Sequence, residues 1–130
     1  MFKDCAQLTA GPAILPAKRL GRFAYNRMFS GCVSLIKSPI IAATTLGDSS
    51  LAYMFADCTS LSSIKVNFTD WHQNSTGGNI LPNGTQYWVV GVNSSNGVFT
   101  KPTALSTILN GVGLGINDSY IPRYWEIKNK

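Results

Sequence analysis

Three copies of one apolar pattern organise this chain. Met-Phe-x-x-Cys-x-x-Leu occurs at 1–8, 28–35 and 54–61, so four apolar positions recur at the same offsets, with starts 27 and 26 residues apart. Between the copies Pro12 answers Pro39, Ala17 answers Ala43, Leu20 answers Leu46, and Tyr25 answers Leu51. Leu20 and Leu46 each precede the next Met by eight residues, which places the one-residue difference between Pro12 and Leu20. A period near 26 is too short for a pair of helices and suits one strand plus one short helix per turn of a solenoid.

The spacing predicts a helix over 44–55, where Thr44 or Thr45 serves as N-cap and Leu51, Met54, Phe55 and Cys58 recur at helical intervals. Leu20, Phe23, Ala24, Arg27 and Met28 predict its counterpart one repeat earlier. Strands are expected at 35–37 and 61–66, the second alternating Ile64 and Val66 against Lys65. Pro12 and Pro39 are expected to end their strands, since proline cannot donate to a ladder. Strand, helix and strand at fixed length imply parallel pairing, with the helices on the other side.

After Val66 the repeat stops and Asn, Gly, Ser and Thr dominate. Residues 67–84 read as a long loop carrying Trp71 and His72. Tyr87, Trp88, Val89 and Val90 fit a strand or a helical turn, and Asn83 and Thr85 as caps favour the helix. Further strands are expected at 98–100 and 124–127. Their spacing suggests degenerate repeats, as terminal repeats of a solenoid are. The expected fold is therefore α/β: repeats over 1–66 and degenerate C-terminal capping repeats over 67–130. The chain starts inside the motif, so further repeats or another chain are expected at its N-terminal end.

The second and third copies, Met28-Phe-Ser-Gly-Cys-Val-Ser-Leu35 and Met54-Phe-Ala-Asp-Cys-Thr-Ser-Leu61, resemble the BspA-like leucine-rich repeats of bacterial surface proteins. The first copy departs, with Ala6-Gln7 in place of Thr/Val-Ser. The tail is similar as well, in Trp88-Val-Val-Gly-Val, Gly97-Val-Phe-Thr-Lys-Pro102 and Ile121-Pro-x-x-Trp125-Glu-Ile. The resemblance spans nearly the whole chain. It implies a leucine-rich-repeat solenoid with its C-terminal cap, and a role in adhesion or binding.

Composition narrows the classes further. The 130 residues are 45% hydrophobic but only 13% charged, which excludes a disordered tail. No apolar run approaches the roughly eighteen residues of a membrane span. The net charge of +5 permits an anionic partner without specifying one. Lys18, Arg19, Arg22 and Arg27 read as a solvated face, with no specific nucleic-acid site implied. The sequons at Asn67, Asn74, Asn83, Asn93 and Asn117 mark an exposed, loop-rich half of the chain.

No reactive constellation emerges. Three cysteines at one repeat position lack the close pairing of a metal site, so Phe29, Cys32, Leu35, Phe55, Cys58 and Leu61 are expected as structural core. His72 has only Asp70 as a nearby titratable residue, without a plausible nucleophile. The segment Gly111-Val-Gly-Leu-Gly115 reads as a turn, since no strand and helix flank it in phosphate-loop order. No enzyme, cofactor or metal is expected. The reading is a non-catalytic binding or adhesion module at a cell surface or outside the cell. Its recognition surface is expected at Lys37, Ser63 and Lys65 on the sheet, or at Trp71 and His72, facing a host or bacterial surface protein or a glycan. A bacteriophage tail-fibre or baseplate module in a virion is the alternative. A glycan-acting hydrolase resting on Asp70 and His72 ranks below both.

Overall fold

The computed structural model describes residues 2–76, 79–82, 84–92, 96–106, 119–122 and 124–130. Its strands are β1 (Ile14–Leu15), β2 (Lys37–Ile41), β3 (Ser63–Val66), β4 (Gln73–Thr76), β5 (Asn79–Pro82), β6 (Val98–Lys101) and β7 (Glu126–Asn129). Five of them form one parallel sheet in the order β1-β2-β3-β6-β7. Each coil thus lays one strand beside the last, as in a β-solenoid. The fourth coil is interrupted by the antiparallel hairpin β4-β5, where 67–84 read as loop.

The strands expected at 35–37, 61–66, 98–100 and 124–127 fall near those places, with shifts that have local causes, whereas β1 follows Pro12, where a strand is expected to end. β2 runs through Pro39 instead of stopping there, because the register slips between Lys37 and Ile40 and the proline is spared a ladder bond. The bridge Ala10↔Lys37 and the pair Ile14↔Ile40 place the extra residue of the first repeat beside Pro12. β7 begins at Glu126, two residues later than predicted, because Trp125 folds over Gly97 and Glu126 N–H donates to the Gly97 carbonyl at 2.9 Å. A Cβ on Gly97 would overlap the buried Trp125 indole. Gly97→Ala is therefore expected to cost about 1–3 kcal/mol by overpacking, read as a lower urea midpoint; an unchanged midpoint would show that the indole has room to move.

The helices expected over 20–28, 44–55 and 86–92 do not form, and no helix occurs among the described residues. In their place stands a ribbon of successive turns. Residues 50, 52, 54, 56 and 58 donate their N–H to the carbonyl three residues back, while Leu51, Tyr53, Phe55 and Asp57 donate to Gly84, Gln86, Trp88 and Val90 of the next coil at 2.8–3.0 Å. The preceding coil does the same, with Tyr25, Arg27, Phe29 and Gly31 donating to Ser50, Ala52, Met54 and Ala56. Every fourth residue is left-handed: Phe23, Arg27 and Gly31, then Ser49, Tyr53 and Asp57, then Tyr87 and Gly91. Tyr53 and Asp57 thus stand at the i+2 position of the turns 51–54 and 55–58, where a type II turn requires positive φ.

Stacking distance favours the ribbon over the helix. Strands repeat every 4.7–4.9 Å or so, whereas an α-helix with side chains is about 10–12 Å wide. A helix would also consume every N–H internally. The ribbon frees alternate donors to bond the next coil in register with the sheet. Against this stands the cost of left-handed non-glycine residues, of order 1–2 kcal/mol each. Asp and Gly limit it at one column, Asp4, Gly31, Asp57 and Gly91, immediately before the Cys position. The alternation is also steric, since a Cβ on Gly31 would collide with the Asp4 carboxylate and one on Gly91 with that of Asp57.

Between sheet and ribbon lies the core. Phe29, Cys32, Leu35, Phe55, Cys58 and Leu61 have no exposed surface. Phe2, Phe29 and Phe55 stack almost parallel, with centroids 5.2 and 5.8 Å apart. The Cys32 thiol donates to the Phe2 carbonyl at 2.9 Å, and the Cys58 thiol to the Phe29 carbonyl at 3.0 Å. Cys5 is exposed, so thiol labelling of the folded protein is expected to modify one cysteine quickly and two only on unfolding. Rapid labelling of Cys58 would contradict the packing.

Candidate binding surface

Alternation along each strand sends one set of side chains into the core and the other outward. Leu15, Ile41 and Val66 align on the inner side, as do Ile64 and Phe99. The outer side carries two rows in register. One runs Ile14, Ile40, Lys65, Thr100, Lys128; the other runs Lys37, Ser63, Val98, Glu126. Lys37, Lys65, Glu126 and Lys128 are exposed, and Ser63, Val98 and Thr100 half-exposed. Lys37, Ser63 and Lys65 therefore share one face, and the structure adds Thr100 and Lys128 to it. The alternation Glu126-Ile127-Lys128 carried that signal, but its phase depends on the Trp125–Gly97 contact.

Lys101 occupies an inner position, equivalent to Val66 by register. Its ammonium is buried, donating to the Leu105 carbonyl at 2.8 Å and to Asn129 Oδ1 at 3.0 Å, and burial holds it below the ordinary lysine range. It closes the last coils and takes no part in the outer face.

Trp71, expected at the recognition surface, is buried and presents no side-chain surface to a partner. It is buried against Phe68, Trp88, Phe99 and Tyr120, and its indole N–H donates to the Ser106 carbonyl at 2.7 Å. A large apolar ring with one satisfied donor is more stable inside. Sequence reading placed it in a loop because the repeat frame lapses after Val66.

His72 is half-exposed and left-handed, at the entry to the β4-β5 hairpin. Its ring nitrogen Nε2 meets Asp48 Oδ1 at 2.8 Å, while Asp70 Oδ1 accepts only the His72 backbone N–H, at 3.2 Å. The side-chain partner is thus Asp48, 24 residues upstream, and not Asp70. The pair ties the base of the hairpin to the turn ribbon. Thr44, Thr45, Leu46, Thr69, Asp70 and His72 line a cavity of about 200 Å³ here, able to hydrogen-bond a small polar molecule. Lys37, Ser63 and Lys65 do not line it, so the sequence candidates divide between the sheet face and this corner.

On the ribbon side Arg27 lies over the Tyr53 ring at 4.2 Å, and Tyr53 meets Tyr87 at 5.8 Å. Tyr53 is half-buried under these contacts, while Tyr87 stays exposed. Among the described residues, no group of three or more His, Cys, Asp or Glu is placed to hold a metal, and no helix is long and apolar enough to cross a membrane. Gly111–Gly115 and the sequon asparagines Asn83, Asn93 and Asn117 lie outside the described residues. No family model, curated protein or solved structure matches the chain.

Proposed function

We propose that the protein is a non-catalytic binding or adhesion module of the BspA-like leucine-rich-repeat kind, acting at a cell surface through the outer face of its parallel sheet. The observation that carries this reading is the pair of outward rows in register across successive strands, with Lys37, Ser63 and Lys65 side by side. Each coil adds one side chain at the same height, which builds the extended surface that solenoids use for recognition. The three Met-Phe-x-x-Cys-x-x-Leu copies, one per coil, support the relation to those repeats. The partner is a surface protein or a glycan.

The test is steric and independent of ligand charge. Ser63→Trp places a bulky ring in the middle of the outer face, and Tyr53→Ala alters the ribbon on the opposite side. Against immobilised matrix proteins, cell-surface glycans and intact host cells, the first variant is expected to lose binding and the second to keep it. Loss confined to Tyr53→Ala would move the recognition surface to the ribbon.

A further inference from the structure

Resting on the sheet-face reading, we infer that the ligand is an anionic polysaccharide, carrying sulfate or carboxylate groups and laid across the coils over Lys37, Lys65, Lys128 and Lys130. Lys65 pairs through Thr100 with Lys128, so two exposed ammonium groups leave the same row two strands apart. That separation is about 9–10 Å, twice the strand spacing. Lys130 follows at the end of β7, where its own partial burial and the positive field of Lys65 hold it below the ordinary lysine range. These cations repel one another, and an anion placed among them relieves the repulsion.

The acidic residues leave this face almost free. Asp4, Asp48 and Asp57 lie along the ribbon and Asp70 at the corner beside His72; among the described residues only Glu126 shares the outer rows. Among the described residues the sheet lysines are thus largely uncompensated. Ser63 and Thr100 place hydroxyl donors between the lysines, suited to sulfate or carboxylate oxygens. A polymer with regularly spaced charges matches a surface that repeats at strand spacing. The outer rows hold no aromatic ring, which separates this face from single-stranded nucleic-acid platforms that stack bases on aromatic side chains.

Titration with dextran sulfate tests the inference, with uncharged dextran and oligothymidylate as parallel probes. Dextran sulfate is expected to bind, with affinity falling linearly in log salt, and dextran is not. Lys65→Gln with Lys128→Gln, both at exposed positions, is expected to weaken binding by about tenfold and to reduce the salt slope by about two. Lys18→Gln with Arg19→Gln should change affinity by less than about twofold, and a thermal melt confirms that both variants are folded. Tighter binding to oligothymidylate, or dextran sulfate binding that survives loss of Lys65 and Lys128, overturns the inference, as does no binding at all. A neutral ligand blocked by Ser63→Trp but indifferent to Lys65→Gln overturns the anionic ligand and leaves the sheet-face reading standing. A ligand indifferent to Ser63→Trp removes both.

Discussion

Replacing Phe55 with alanine is expected to lower the unfolding free energy by about 3–5 kcal/mol, the range for a fully buried aromatic side chain. Phe55 has no exposed surface and lies between Phe29 and the Trp88 indole, each with its centroid 5.8 Å away. Its backbone N–H also bonds the Trp88 carbonyl at 2.8 Å, so the ribbon holds the cavity open instead of letting it collapse. Phe2→Ala is the internal comparison. Phe2 is half-buried and, among the described residues, stacks on Phe29 alone, so it should cost less, about 1–2 kcal/mol. Urea denaturation measures both. Equal losses would mean that the aromatic column does not gain stability coil by coil.

Alkaline pH is expected to unfold the protein through its buried thiols. Burial pushes the Cys58 thiol up to about 12 from an ordinary value of 9.0, and the neighbouring Cys32 adds to the effect. Cys32 is raised as well, again by burial first. Between pH 9 and 12 the unfolded chain has released a Cys58 proton that the folded chain retains. Stability present below pH 9 is therefore lost as pH climbs through that window, at up to about 1.4 kcal/mol per unit. Cys58→Val is the control, since Val92 fills the equivalent place in the next coil, packed against the same column. The wild-type-minus-variant difference in urea stability should be small at pH 8 and turn against the wild type by a few kcal/mol near pH 11–12. A difference that stays flat across this range would sink the assignment of Cys58 as a desolvated, neutral thiol.

The two results read different links of the same structure. Phe55 reports on side-chain stacking between coils. Cys58 reports chiefly on the burial of that stack, which is the first cause of its raised thiol pKa, with the neighbouring Cys32 second. A column that is dry and stacked also explains why Lys37, Ser63 and Lys65 are presented so regularly. Each outward residue is fixed by an inward neighbour that cannot move without opening the core.

The motif Met-Phe-x-x-Cys-x-x-Leu made the repeating solenoid, the parallel pairing and the buried set Phe29, Cys32, Leu35, Phe55, Cys58 and Leu61 legible in advance. The ribbon was not legible. Leu51, Met54, Phe55 and Cys58 fit a helix of 3.6 residues per turn and a ribbon repeating every fourth residue equally well over so short a span. One signal was available: Asp4, Gly31, Asp57 and Gly91 precede the Cys position in four coils, and Asp and Gly tolerate left-handed backbone. Phe23, Arg27 and Tyr53 occupy the same conformation against their own preference, which hid the pattern. For the site, Lys37, Ser63 and Lys65 could be placed by alternation alone. Lys128 could not, because its strand phase is set by Trp125 closing over Gly97.

By itself the sequence determined the features that repeat. A residue type returning every 26 or 27 positions meets its own copy in the next coil whatever the coil's path, so the phenylalanine stack and the buried thiols follow from spacing, while Lys37, Ser63 and Lys65 follow from alternation within their strands. The tertiary structure decided whatever depends on contact between unlike coils. Hydrogen bonds from alternate N–H groups to the next coil, at 2.8–3.0 Å, held a turn ribbon where the local spacing predicted a helix. Trp71 turned inward because Phe68, Trp88 and Phe99 offered it a packed cavity, and the His72 ring found Asp48 because the hairpin base lies against the ribbon. Those choices rest on side chains brought together from distant points of the chain, where no local periodicity carries the information.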